Sequence, residues 1–256
     1  SFALGGAVNA ALIVLDCNPL VALFISFIAG GISGIVTGLL NTKLKIPGIL
    51  AGILTMIALY SINIRIMGRA NISLLGETTL MTQISSLINT STTTTSFIIG
   101  TIFSVIIIFA MYWFFGTEIG SAIRATGNNE KMVRAQGVNT DNMKILGLML
   151  GNALVALSGG LVAQSQGYGD VQMGTGTIVI GLASIIIGEV IFGTRFSFWY
   201  ILMSVVMGSI IYRVIIAIVL QLGLTSSDLK LFTAVTVALA LSIPVMKSKF
   251  ANKKKN

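Results

Sequence analysis

Apolar runs follow one another along this chain with almost no charge inside them: 3–15, 19–40, 46–62, 97–115, 145–163, 174–192, 198–220 and 229–246. A helix needs about 20 residues to cross the hydrocarbon of a bilayer, with a lower limit near 17. Seven of the runs reach that length. The first, 3–15, falls short, as a half-helix, a re-entrant piece or the remnant of a longer span would. Lipid offers no partner to a bare N–H or C=O, so such runs must be helices rather than open strands. The expected fold is therefore all-α: a polytopic membrane helical bundle of about eight segments, the first one short.

Composition agrees and narrows the function. Charged residues make up 9% of the 256, against about a quarter in a soluble domain, too few to cover a globule in water. Soluble enzymes, nucleic-acid-binding domains and disordered chains are excluded. With no His there is no imidazole base, zincin helix or Ser-His-Asp triad, and no enzyme activity is expected of this chain. The lone Cys17 forms neither an internal disulfide nor a thiolate metal cluster, and no metal site is expected. No charged region leads into a short apolar core and a cleavage site, so no cleavable signal is expected. Ser1 opens inside an apolar stretch without an initiator Met, so an N-terminal piece is expected to be missing.

The net charge of +8 is explained by orientation. With the 41–45 loop in the cytoplasm, Lys43, Lys45, Arg124, Lys131, Arg134, Lys144, Arg195, Lys247, Lys249, Lys253, Lys254 and Lys255 all lie inside. Arg65, Arg69 and Lys230 lie outside, and Arg213 lies within a span. This asymmetry places the 116–144 connection and the basic tail 247–256 in the cytoplasm. The terminal lysines read as a topological anchor ahead of an anionic-lipid site.

Within the spans, Ala22, Ser26, Gly30, Gly34 and Gly38 recur every fourth residue, a nearly bare helix face that admits a neighbour closely; Gly147 and Gly151 offer the same. Pro47 is placed at a helix start and Pro244 in the last turn of the final span. In the outer connection 63–96, Leu80, Met81, Ile84, Leu87 and Ile88 oppose Thr78, Thr79, Thr82, Gln83, Ser85 and Ser86, predicting a helix lying in the outer interface. The Thr-rich 89–96 run reads as loop and helix cap.

The inner connection 116–144 carries the clearest functional signal. Two short helices are predicted on either side of Gly127-Asn128-Asn129. Ile119, Ala122, Ile123 and Thr126 share a face of the first, and Met132, Val133 and Gln136 a face of the second. Gly127 and Gly137 can each take the left-handed geometry that ends a helix. A compact helix pair with few bulky charges suits docking into a partner's groove.

At this point the chain resembles a known family. Glu118-Ile-Gly-Ser-Ala-Ile-Arg-Ala-Thr-Gly-Asn, followed by Ala135-Gln-Gly-Val-Asn, is similar to the cytoplasmic coupling region of ABC-importer permeases of the branched-chain amino acid and ribose type. Lys43-Leu-Lys-Ile, the twelve residues from Gly52, the eleven from Leu154 and the nine from Gly181 resemble permeases associated with tryptophan or tyrosine import. Ile211-Tyr-Arg and Asp228-Leu-Lys-Leu do so as well. Family members usually begin with an additional helix and an acidic, Gly-Ser-containing bend, absent before Ser1; this departure fits a truncated N-terminus.

The resemblance implies a transmembrane permease domain over 1–246 in the plasma membrane of a bacterium. It implies a second copy of the permease, two cytoplasmic ATPase subunits and an extracellular substrate-binding lipoprotein. It also implies Glu118, Ile119, Ala122, Ile123, Arg124, Ala125, Gly127 and Asn128 as the residues that meet the ATPase. No G-x-x-x-x-G-K-[ST] loop is present, and Gly174-Thr-Gly-Thr does not continue as a dinucleotide fingerprint. No cofactor is expected here, ATP and Mg belonging to the ATPase. The implied cargo is a small solute, an aromatic amino acid first.

Polar groups at membrane depth complete the reading. Asn152, Ser158, Gln164 and Gln166 follow one span to its outer mouth as a candidate substrate path, and interhelical hydrogen bonding explains them equally well. Glu189 lies about one turn from the cytoplasmic end of its span and Arg213 past the middle of the next. Straight helices would part them by roughly 18 Å, too far for an ion pair. An ion-coupled secondary transporter or channel is the alternative, disfavoured by the scarcity of carboxylates within the spans.

Overall fold

The computed structural model describes residues 1–193 and 198–221, together with Val235. The chain divides into two compact units, 1–174 and 175–256. The expected span 229–246 with Pro244, the basic tail 247–256 and Arg195 lie outside the described residues.

Unit one begins with α1 (Phe2–Val14) and α2 (Pro19–Thr42). With no polar face and Asn9 as its one polar residue, α1 is buried from Leu4 to Ala10. The Asn18 side chain accepts a hydrogen bond from Leu20 N at 2.9 Å, and Pro19 opens α2 where a missing N–H is harmless. Then follow α3 (Gly48–Met67), β1 (Asn71–Ser73) and α4 (Leu80–Ile88). Pro47 is the residue before α3, and Gly68, at φ +67°, ends that helix. The helix therefore takes in the first residues of the 63–96 connection.

The predicted helix at 80–88 is present, with Thr79 and Thr82 capping each other reciprocally. The 89–96 run is mostly not loop: α5 (Thr92–Gly116) starts inside it. The reason is local. Thr95 and Ser96 return their hydroxyls to the carbonyls of Ser91 and Thr92, four residues back, so the hydroxyls that suggested a loop are satisfied within a helix.

The inner connection holds α6 (Glu118–Asn128) and α7 (Glu130–Ala135), after which α8 (Thr140–Gln166) and β2 (Tyr168–Asp170) complete the unit. Gly127 is not a helix terminator. It lies within α6, and the break falls at Asn129, in extended geometry, whose side chain caps α7. Gly137, at φ +86°, does take the left-handed form. β1 and β2 pair antiparallel, Ile72 opposite Gly169. That pairing brings the connection after α3 and the one after α8 to the same end of the unit, as alternating spans require. No sequence signal announced it: three-residue strands leave no periodicity.

The core of unit one is a triad of α1, α2 and α8. The ladder on α2 meets α8 antiparallel, Gly30 against Ala153 and Ala156, Gly34 against Leu148 and Met149, and Gly38 against Ile145. A methyl at Gly34 would overlap Leu148 O and lie 2.7 Å from Met149 Cα. Helices without an apolar driving force between them associate through this kind of backbone approach. Against α8, α1 runs parallel, with Ser1, Gly5 and Asn9 level with Asn152, Ala156 and Gly160.

Unit two, in its described residues, is the pair α9 (Thr177–Phe192) and α10 (Phe198–Gln221). They pack small residue on small residue: Gly188 on Ser204, Gly208 on Ser184, beside buried Ala183, Ile187 and Tyr212. At 16 residues, α9 is shorter than the expected 174–192 run because Gly176, at φ +85°, starts it late. Five described helices, α2, α3, α5, α8 and α10, are long and apolar enough to cross a membrane; α1 and α9 are shorter.

Candidate coupling region and membrane-buried polar groups

The turn from α5 into α6 is fixed by Thr117, whose hydroxyl donates to Phe114 O at 2.6 Å and accepts from Gly120 N at 3.2 Å. Gly120 is required there, since a Cβ would overlap Phe114 O. The first helical face divides. Thr126 is buried and Ile123 rests on α8, where a Cβ at Gly147 would lie 3.3 Å from it. Ala122 and Ala125 are half-buried. Glu118, Ile119, Arg124, Gly127 and Asn128 are exposed, Ile119 by 52%. The bare Gly147 thus receives an α6 side chain.

The second face is not shared as the spacing suggested. Val133 is 1% exposed, while Met132 and Gln136 face outward. A charge network joins α7 to the start of α8. Glu130 accepts from Lys144 Nζ at 2.7 Å and from Arg134 at 3.1 Å, and Arg134 reaches Thr140 at 2.8 Å and Asp141 at 3.3 Å. The Lys144 hydrogen bond holds the Glu130 carboxyl below its ordinary range, assisted by the charges of Lys144 and Arg134 and by Thr140, against the pull of burial. Reading Arg134 and Lys144 for topology alone missed this clasp between α7 and α8. The spacing of Glu130 and Arg134, four apart on a helix, was the available signal.

Among the candidate path residues, the four on α8 do not share a face. Gln164 is 2% exposed, its Oε1 accepting from Leu80 N at 2.9 Å and its Nε2 donating to Pro19 O at 3.3 Å. Its amide ties α4 and α2 to α8. Asn152 donates to Leu148 O and accepts from the Ser1 hydroxyl, which in turn meets Ser33. Ser158 and Gln166 are exposed, with the Ser158 hydroxyl returned to Val155 O.

In unit two, Glu189 and Arg213 are both exposed and no ion pair joins them among the described residues. Continuing the antiparallel register of Gly188 with Ser204 puts Arg213 level with Val179, roughly 15 Å along the axis from Glu189. Among the described residues, no cluster of three or more carboxylates or cysteines could hold a metal ion.

Comparison with known proteins adds the following. A family model described as branched-chain amino acid transport system / permease component matches residues 1–244. A tyrosine transport system permease protein of Clostridioides difficile is 38% identical over 238 residues, 93% of this chain and 77% of the relative. An uncharacterised protein of Rickettsia prowazekii is 32% identical over 224 residues, 86% of this chain and 78% of the relative. The ribose import permease protein RbsC of Escherichia coli is 26% identical over 171 residues, 61% of this chain and 48% of the relative. No solved structure matches the chain.

Proposed function

The chain belongs to the family of branched-chain amino acid transport system permeases, and we propose that it is the gate through which such a system brings a small solute inward. It is a transport subunit and a multi-pass protein of the bacterial cell membrane. In this proposal an extracellular binding lipoprotein delivers the cargo, a second copy of the chain forms the other wall, and cytoplasmic ATPase subunits supply the stroke. An amino acid is the preferred cargo, aromatic first, because the tyrosine transport relative aligns over most of both chains. A sugar is second, on the shorter match to a ribose permease.

One observation carries the coupling role. On α6, Ile119 near its start and Arg124 and Asn128 further along are exposed, while Ile123 is seated on α8, the helix at the centre of unit one. A push on α6 therefore has a packed route into the helices that line the membrane. ATP-driven closure would shift the spans between two accessible states through that route.

The test is Ile119→Asp in proteoliposomes containing the ATPase and binding protein. Ile119 is exposed, so the chain itself should melt as before, whereas a carboxylate placed in an apolar docking groove is costly. ATP-driven uptake of L-tyrosine and ATPase copurification are expected to fall at least about tenfold, a loss of 1.4 kcal/mol or more. Undiminished uptake in the variant would refute the coupling assignment. Uptake by the wild type that needs an ion gradient but no ATPase would favour the ion-coupled alternative.

A further inference from the structure

Buried polar side chains run between α1, α2, α3 and α8. Among the described residues Asn9 is the one that lacks a partner at both ends of its amide, Asn63 lacking one at Oδ1 only. Thr37 bonds Thr55 and Ser33 O, and Ser26 bonds Ala22 O and Gly5 O. The Asn152, Ser1 and Ser33 side chains bond one another in sequence, and Gln164 spends both ends of its amide. Asn9 is 0% exposed, and neither its Nδ2 nor its Oδ1 has a hydrogen-bond partner. It lies over the bare backbone of Gly160, where an added Cβ would stand 3.3 Å from Nδ2 and 2.9 Å from Leu23 Cδ2.

A buried amide with donor and acceptor both unmet is unfavourable, and a leucine, branched at the same carbon, would carry neither unmet group. Full burial also means that nothing outside can reach Asn9 while the helices stand as they do. Its partner must therefore arrive through a rearrangement that parts α1 from the small-residue face of α8. Ala156 and Gly159 meet α1 at the backbone of Gly5 and Phe2, and Gly160 meets the Asn9 side chain itself, so few interlocked side chains stand between the two helices there.

Resting on the transport reading above, we propose that Asn9 is a cargo-binding residue, uncovered during turnover and closed over at rest. Its carboxamide presents a donor and an acceptor side by side. The complement is a small solute with an acceptor next to a donor, as in the head group of an amino acid or the vicinal hydroxyls of a sugar. An inorganic cation or a hydrocarbon chain offers no such match.

The experiment uses the assembled transporter in proteoliposomes. In a Cys17→Ser background, Asn9→Cys is exposed to N-ethylmaleimide at rest and during ATP-driven turnover. Asn9→Leu is assayed for uptake of L-tyrosine and of D-ribose. Labelling confined to turnover is expected. Asn9→Leu is expected to fold and to copurify with the ATPase. Its uptake of whichever probe is carried should fall about fivefold to tenfold, the worth of one neutral hydrogen bond. Absence of labelling in every state, equal labelling at rest and in turnover, or wild-type uptake by Asn9→Leu would each overturn the proposal. Because labelling reports exposure of this one side chain, it separates the two readings. Wild-type uptake without ATP, with labelling still tied to transport, would sink the ATPase coupling and leave Asn9 standing.

Discussion

Replacing Gly34 by alanine tests the packing on which the whole of unit one depends. The added methyl would overlap Leu148 O and lie 2.7 Å from Met149 Cα and 2.8 Å from Leu148 C. All three are backbone atoms of α8, so no side chain can swing aside, and ordinary contact needs the helices to part by about 1 Å. A radial gap of 0.5–1 Å forfeits about a quarter to a half of each dispersion well along the seam. Overpacking of this kind costs about 1–3 kcal/mol. With three backbone atoms in the way, the upper end applies. Alanine returns about 1 kcal/mol of helix propensity, leaving Gly34→Ala destabilised by about 2 kcal/mol. Gly52 in α3 supplies the control, because nothing lies within 4 Å of a Cβ there and only the propensity gain remains. The two variants should differ by about 3 kcal/mol in detergent-titrated unfolding, with opposite signs relative to wild type. Equal midpoints for Gly34→Ala and Gly52→Ala would refute a seam closed by backbone contact.

Three further outcomes follow from named contacts. Gln164→Leu leaves the buried Leu80 N–H without its acceptor, a loss of about 1–3 kcal/mol, and amide exchange at 80–88 should quicken while that of α2 changes little. Because Glu130 is held below its ordinary pKa, the clasp's contribution is complete above the unfolded carboxylate value of about 4.3 and disappears as pH falls through the lower, folded value. Lys144→Met should shift that titration upward, read from the Glu130 carboxyl carbon by NMR; an unmoved midpoint would remove Lys144 from the network. Gly208→Leu should drive α10 away from Ser184 and Gly188 and lower the melting temperature, whereas Gly181→Ala, with open space around it, should not.

Much of the local structure could be read from the residues. Two short helices either side of a break near 127–129, a helix at 80–88 and the bare ladder on α2 are all present. Each rests on a local rule that needs no knowledge of the partner: periodicity, capping hydroxyls, a repeat of small residues. The errors share a cause too. Gly127 can take the left-handed form that ends a helix, but permission is not obligation, and Asn129 makes the break instead. The 89–96 hydroxyls fit a loop or a helix equally well until their acceptors are known.

Sequence alone determined the solvent of this protein and the helical form it demands, because lipid imposes those terms on any run of apolar residues, whatever it packs against. It also marked the helix pair of the 116–144 connection as the unusual element. Tertiary structure decided which faces meet. It turned Ile123 inward and Ile119 outward, spent the Gln164 amide on α2 and α4, joined Glu130 to Lys144, and left Asn9 buried without a partner. Those outcomes depend on residues far apart in the chain arriving at one depth in the bundle, and local spacing carries no record of that depth.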